Sequence, residues 1–292
     1  YSNRSFDRFL SVCKHHEKAF LFNGNALAMP EMYEAISNDG IPVVLDGTGG
    51  DEFFGGYWNR QFPYAVREEL SNADDSWASS IASANGKSNN IHKHIRNARR
   101  RADLTNWWNE MQPRLSTARH RYLKIPFGEI LKRSATDPLT RIDNNFTQAL
   151  VRDISAGGRL GEWVWHNDRN AMMSSVENRS PLLDFRLHSY LFTGHRKKFV
   201  GKYNKHELRS IFDAFNQLPT QWRWQKQGFR WNGKSFIRQN ENSIRDLIRE
   251  CTWLDNSINL KTFCDKSLKH PSMLRTTLAK RILTISGLQA MM

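Results

Sequence analysis

Three carboxylates and three glycines fall within one short stretch, Asp46-Gly47-Thr48-Gly49-Gly50-Asp51-Glu52. The glycines let the backbone turn tightly and approach a ligand, and Asp51 opens a predicted helix whose free amides would face an anion. Phosphate suits those amides but is repelled by bare carboxylates. Coulomb's law offers a resolution: a hard cation such as Mg2+, held by one or two carboxylates plus phosphate oxygens, turns the repulsion into a bridge. From the residues alone, a helix capped by acidic side chains stands as the alternative.

Two later stretches add charge. Asn204 can cap a helix, which places Lys205 in its first turn. A cation there is unfavourable by roughly 0.3–1 kcal/mol unless an anion joins it, so Lys205 is a candidate phosphate ligand. Asp168, Glu177, Arg179 and Asp184 surround an apolar Met and Leu framework. They predict a paired, partly buried network, either structural or part of a substrate site.

The elements that must position these groups follow from periodicity. Ile41, Val43, Val44 and Leu45 form a short β-branched run between Asp39-Gly40 and Gly47, as in a parallel strand covered on both faces. Pro42 places the strand's first residues or an edge there. Helices are predicted over Phe6 to His16 and Ala28 to Ser37, giving half of a parallel α/β unit. Residues Phe62 to Arg133 read as a helical insertion packed by Trp77, Trp107 and Trp108, with no chemistry assigned. Leu139 to Ser155 and Leu160 to Ser175 make two more helices, and from Ser235 the chain is helical again. The resulting divisions are 1–60, 61–135, 136–232 and 233–292.

A chain of 292 residues that is 39% hydrophobic can bury one large core or two smaller ones. No stretch approaches the ~20 apolar residues that span a membrane, and no secretory signal is visible. Tyr1 rather than Met at the start predicts a piece of a longer protein. Cys13, Cys251 and Cys264 share no metal-ligand spacing and read as reduced, packed thiols of a cytoplasmic protein. A formal charge of +14 draws polyanions, ATP and nucleic acid among them. The densest basic run, His92 to Arg101, lacks an aromatic stacking platform and reads as a solvated helix face in preference to a nucleic-acid contact.

Gly228-Phe229-Arg230-Trp231-Asn232-Gly233-Lys234-Ser235 satisfies a second phosphate-loop pattern, G-x-x-x-x-G-K-[ST]. The segment before it is too polar for the strand such a loop requires, and Phe229, Arg230 and Trp231 are bulky for a phosphate cradle. Esterase elbows, zinc-protease pairs and paired Cys-x-x-Cys motifs do not occur.

Asp-Gly-Thr-Gly-Gly-Asp-Glu-Phe-Phe-Gly-Gly-Tyr, from Asp46 to Tyr57, resembles the glycine loop of the asparagine synthetase family. Two further matches follow in the family's order: Asp168 to Asp184, with Val-Glu-x-Arg-x-Pro-Leu-Leu-Asp at its core, and Lys202-x-x-Lys205-x-x-Leu208-Arg209, followed by Arg223 to Phe229. The resemblance implies an α/β, ATP-pyrophosphatase-like (adenine nucleotide alpha hydrolase-like) domain. Its parallel sheet is expected to be largely missing here, leaving a predominantly helical chain with few strands.

It also implies an ATP-dependent amide-forming ligase. A substrate carboxylate would attack the α-phosphate of ATP, and ammonia, derived from glutamine on an upstream glutaminase domain, would displace AMP. Asp51 would bind Mg2+. Lys205 would stabilise phosphate charge, with Lys202 beside it. Leu45, Asp46, Gly47, Thr48, Gly49 and Gly50 would line the nucleotide pocket, and Glu177 and Arg179 would organise the substrate side.

Two residues depart from the pattern. Thr48 stands where the family usually has an acidic residue, and Asp46 where it usually has Ser. Thr48 cannot act as a carboxylate base or pair with a substrate amine, so a carboxylate other than free aspartate is a live expectation. The family's Ser-Gly-Gly-x-Asp-Ser pyrophosphate loop belongs upstream of Tyr1, and residues 1–292 alone are expected not to make amide bonds. A nucleic-acid-binding helical protein and a non-catalytic paralogue are the alternatives.

Overall fold

The computed structural model describes residues 5–20, 25–58, 60–71, 76–84, 100, 124, 145–155, 159–213, 215, 222, 233–267 and 277–292. Among them the chain is mostly helical, with two short parallel strands, as expected. The basic run apart from Arg100, Trp107, Trp108 and residues 223–232 lie outside the described residues.

Helices α1 (Ser5–His16) and α2 (Asn25–Asn38) lead to strand β1 (Val43–Leu45) and the short helix α3 (Gly50–Phe54). Helix α2 starts at Asn25 and not at Ala28, which puts Pro30 sixth in the helix, past the first turn, where it can donate no backbone hydrogen bond. Helices α4 (Phe62–Ser71) and α5 (Ser76–Ala84) make up most of the described part of the predicted insertion. Then come α6 (Phe146–Ile154), α7 (Arg159–Met172), strand β2 (Glu177–Arg179), two 3-10 segments (Pro181–Leu183 and Phe185–Phe192), α8 (His195–Lys198) and α9 (His206–Asp213). Helices α10 (Gly233–Gln239), α11 (Glu241–Arg249), α12 (Leu260–Ser267) and α13 (Thr277–Met291) complete it.

The C-terminal helices and α1 share one core, built on Phe9, Phe236, Ile244, Ile248 and Leu283. All three cysteines are free and buried. Burial in apolar surroundings pushes the Cys13 thiol well above its ordinary range and that of Cys264 to about 11, so both stay protonated packing groups. A second core, around Phe53, Phe54, Phe146, Leu150 and Phe199, lies under the glycine loop. Trp77 of α5 donates its indole N–H to the Phe199 carbonyl at 3.2 Å, and the Arg196 guanidinium donates twice to buried Glu69 of α4, at 2.8 and 2.6 Å. The described part of the insertion is thereby anchored to the segment that precedes α9. No helix among the described residues is long and apolar enough to cross a membrane.

Strand β1 pairs in parallel with β2 in the register Val43 to Glu177, Val44 to Asn178 and Leu45 to Arg179. Val44 packs with Met29 and Tyr33 of α2 and Ala171 and Val176 at the end of α7. The other face corrects the expectation of a strand covered on both sides: Leu45 is 72% exposed. Side chains alternate along a strand, so only the Val44 face meets the helices. The second predicted helix ends at Met172 instead of Ser175, because Ser175 takes a left-handed conformation (φ 56°) that turns the chain into β2.

Candidate active site

Strand β1 ends at the glycine loop, where the predicted residues separate into three groups. The first is centred on Asp46. Its carboxylate accepts the Thr48 backbone N–H (3.0 Å), the Thr48 hydroxyl (2.7 Å) and the side-chain amides of Asn167 (2.8 Å) and Asn178 (2.9 Å). Burial pushes this carboxyl up, but hydrogen bonds from Asn178, Ser180 and Thr48 outweigh it and hold the group below its usual range. Asn178 reaches Asp46 because both lie on the Val44 face of the ribbon; Asn167 comes from α7 and also donates to the Thr48 oxygen at 2.8 Å. Asp46 and Thr48 thus spend their polar atoms on fixing the loop.

The second group joins Asp51 of α3 to Lys205, whose ammonium lies 3.0 Å from Asp51 Oδ1. The Gly55 and Gly56 N–H groups both cap the Asp51 carbonyl. Gly56 is required sterically, since a Cβ there would meet Asp51 Oδ1 at 2.0 Å. The expected capping arrangement is corrected. Asn204 is buried and donates to the Gly56 carbonyl at 2.7 Å, while Lys205 itself takes the cap position of α9, its carbonyl accepting the Arg209 N–H at 3.0 Å. Lys205 is left-handed (φ 52°), a conformation that costs a non-glycine residue about 1–2 kcal/mol. The anion that a cation at this position needs is Asp51. Arg209 also feels the Asp51 charge and donates to the Asn204 carbonyl at 2.7 Å.

The third group is Glu177 and Arg179, which pair with each other at 2.9 and 3.1 Å with both side chains exposed. Asp184 and Arg186 pair likewise at 2.6 Å. The expected partly buried network is therefore a set of local pairs: Glu177 and Arg179, two apart on a strand, share its exposed face, while Asp184, 29% exposed, caps the second 3-10 segment by accepting the Arg186 N–H at 2.9 Å. Glu177 and Arg179 lie on the Leu45 face, opposite Asp46. Lys202 is exposed, its ammonium 5.5 Å over the Tyr203 ring.

At Gly49 (φ 94°) a Cβ would lie 2.4 Å from the Leu183 side chain, so the protein's own packing requires a glycine there. Around Gly47 a Cβ would meet nothing within 4 Å. Glu52 turns away from the site, 4% exposed, and accepts the Tyr57 hydroxyl at 2.7 Å. The second phosphate-loop pattern survives only as Gly233-Lys234-Ser235 opening α10, with its first five residues outside the described set.

The three matching stretches thus meet around one loop in the order the resemblance requires, and the sequence model of the asparagine synthase family matches residues 4–290. The chain belongs to the asparagine synthase family. No curated protein and no solved structure matches it. Membership places the chain in a family of ATP-dependent synthetases that join carbon to nitrogen.

Sequence reasoning missed Asn167, Asn178, Arg209 and buried Lys198. Asn178 and Arg209 stand inside the recognised motifs, so their position was marked although their partners were not. Nothing distinguishes Lys198 from its neighbours Arg196 and Lys197 in sequence.

Proposed function

We propose that the chain is the ATP-using part of an amide-forming ligase that activates a carboxylate other than free aspartate. The observation that carries this reading is the Asp51–Lys205 pair at the foot of the glycine loop. The two side chains are 30% and 22% exposed, so the pair stays open to solvent and to a ligand on one side. Asp46 is bound by several charge-assisted hydrogen bonds, each about 1.5–3 kcal/mol, and stays in place. Asp51 is therefore the carboxylate available to a cation.

The residues fit Mg2+, which is held by one or two carboxylates together with substrate phosphates, and Asp51 would hold it. Bound there, Mg2+ would neutralise phosphate charge. Lys205 and Arg209 present positive charge to the same phosphates. In the reaction a substrate carboxylate oxygen attacks the α-phosphorus of ATP, its bond to the bridging oxygen breaks and pyrophosphate leaves. Ammonia, supplied from glutamine, then attacks the acyl carbon, releasing AMP and a proton. Lys205 acts by stabilising charge and holding position, the main catalytic terms in phosphoryl chemistry. Glu177 and Arg179 would meet the substrate, and Lys202 and the loop from Leu45 to Gly50 the nucleotide.

Thr48 supports the substrate class. It carries no charge, and Asp46 beside it is saturated, so neither offers a free carboxylate to a substrate ammonium. The test is carboxylate-dependent pyrophosphate release from MgATP by the full-length protein, run with aspartate and with carboxylates lacking an α-amine. Release with the second class and not with aspartate, lost in Lys205→Ala, is expected. Preference for aspartate would overturn the substrate reading, and no MgATP binding would overturn the whole.

A further inference from the structure

We propose that Lys198 is a positioning residue for the Asp51–Lys205 pair. Its side chain is fully buried, an uncommon place for a lysine. The ammonium donates to the Phe53 carbonyl at 2.9 Å, to the Thr193 hydroxyl oxygen at 3.0 Å and to the Tyr190 carbonyl, so all three N–H groups are used. Glu207 Oε2 lies 3.6 Å away and accepts the Thr193 hydroxyl at 2.8 Å.

These partners define a junction. Phe53 lies two residues beyond Asp51 on α3, and Glu207 lies two residues beyond Lys205 in the first turn of α9. One buried charge therefore ties the end of the helix that carries Asp51 to the start of the helix that Lys205 caps. An amide or hydroxyl could not serve equally, because neither supplies three donors together with a charge that neutralises Glu207.

Burial lowers the Lys198 ammonium to about 8, against the raising effect of Glu207, the charged group facing it. Loss of the proton removes a donor from the junction and leaves Glu207 uncompensated. The folding linkage has the opposite sign. Above pH ~8 the folded chain sheds a proton that the unfolded chain keeps up to the ordinary lysine range of ~10.4, so this group's contribution to stability rises with pH across that window. Positioning is lost where stability is gained, a split that a purely structural lysine would not show.

The first experiment needs no nucleotide. The rate at which an amine-reactive acylating reagent labels Lys205, read by peptide mass spectrometry, reports how firmly Lys205 is held by Asp51. Lys198→Met is expected to raise that rate severalfold over the unsubstituted protein at the same pH. The second follows MgATP binding from pH 7 to 10. Affinity is expected to fall at least 10-fold through pH 8–9, without a parallel fall in melting temperature. The fall moves to lower pH in Glu207→Gln, which removes the group that raises the lysine, and to higher pH in Lys198→Arg. Should Lys198→Met fail to fold, Glu207→Gln carries both tests. Unchanged Lys205 labelling, or a pH limb that stays in place in the variants, overturns the inference. This proposal rests on the proposed nucleotide site only in its second arm: altered labelling in a protein that never binds MgATP would leave Lys198 as a positioning residue and sink the ATP reading.

Discussion

The Thr48 hydroxyl donates to the Asp46 carboxylate at 2.7 Å, joining the two residues at which the loop departs from its family's pattern. The departures form one unit: a carboxylate at position 46 needs a donor at 48, and an acidic residue there would repel it. Thr48→Glu is accordingly expected to destabilise the protein by ~1–3 kcal/mol, and Asp46→Ser in the same chain to recover most of the loss. Urea unfolding of the two single variants and the double variant measures the coupling. Additive effects would separate the two residues.

Asn178 tests the rest of that network. Asn178→Ala removes one donor to Asp46 and should cost about 1.5–3 kcal/mol at neutral pH. The Asp46 carboxyl is held below its ordinary value, so its stabilisation is complete above the unfolded value of ~3.9 and is lost as pH falls through the folded one. The stability gap between the unsubstituted protein and Asn178→Ala should therefore be constant from pH 5 to 7 and narrow below pH ~4. A gap that persists in acid would mean that Asn178 acts through packing alone.

What the sequence disclosed depended on whether the signal was local. The helices around Phe9 and Met29, the strand at Val43 and the glycine loop were legible because periodicity and turn residues lie along the chain. That Lys205 needs an anion was legible from its place at a helix start, but the anion expected there was a phosphate; its pairing with Asp51, far away in sequence, was not read. Asn204 misled: a good capping residue by type, it is used instead to hold Gly56, 148 residues away in sequence. Such long-range competition for a side chain leaves no local trace. Lys198 is the extreme case, its role set by carbonyls on two other elements.

Gly56 offers a way to disturb the site without changing its charge. A methyl group there would collide with Asp51 Oδ1, so Gly56→Ala should push the carboxylate from Lys205 and weaken MgATP binding at least 10-fold. Titration calorimetry measures the loss, and the rate at which an amine-reactive reagent labels Lys205 shows its origin: faster labelling in Gly56→Ala is expected once Asp51 is displaced. Weaker binding with unchanged labelling would place the effect in the loop instead of in Asp51.

Glu52 adjoins Asp51 but is buried against Tyr57, and it is held at a cost. Burial, together with the nearby charges of Asp51 and Asp153, raises its carboxyl above the usual range, while the Tyr57 hydroxyl bond only partly offsets this. Glu52→Gln keeps an acceptor for Tyr57 and removes the charge, so it should stabilise the protein at pH 7 by on the order of 1 kcal/mol. The raised value fixes the sign of the pH dependence. The charged form is penalised above the folded value, and the penalty disappears as pH falls toward the unfolded value of ~4.3. The advantage of Glu52→Gln should shrink over the same interval, and melting temperatures at pH 4 and 7 will show it. MgATP binding should change by less than twofold, because Glu52 faces the core; a large loss of affinity would instead return this carboxylate to the site.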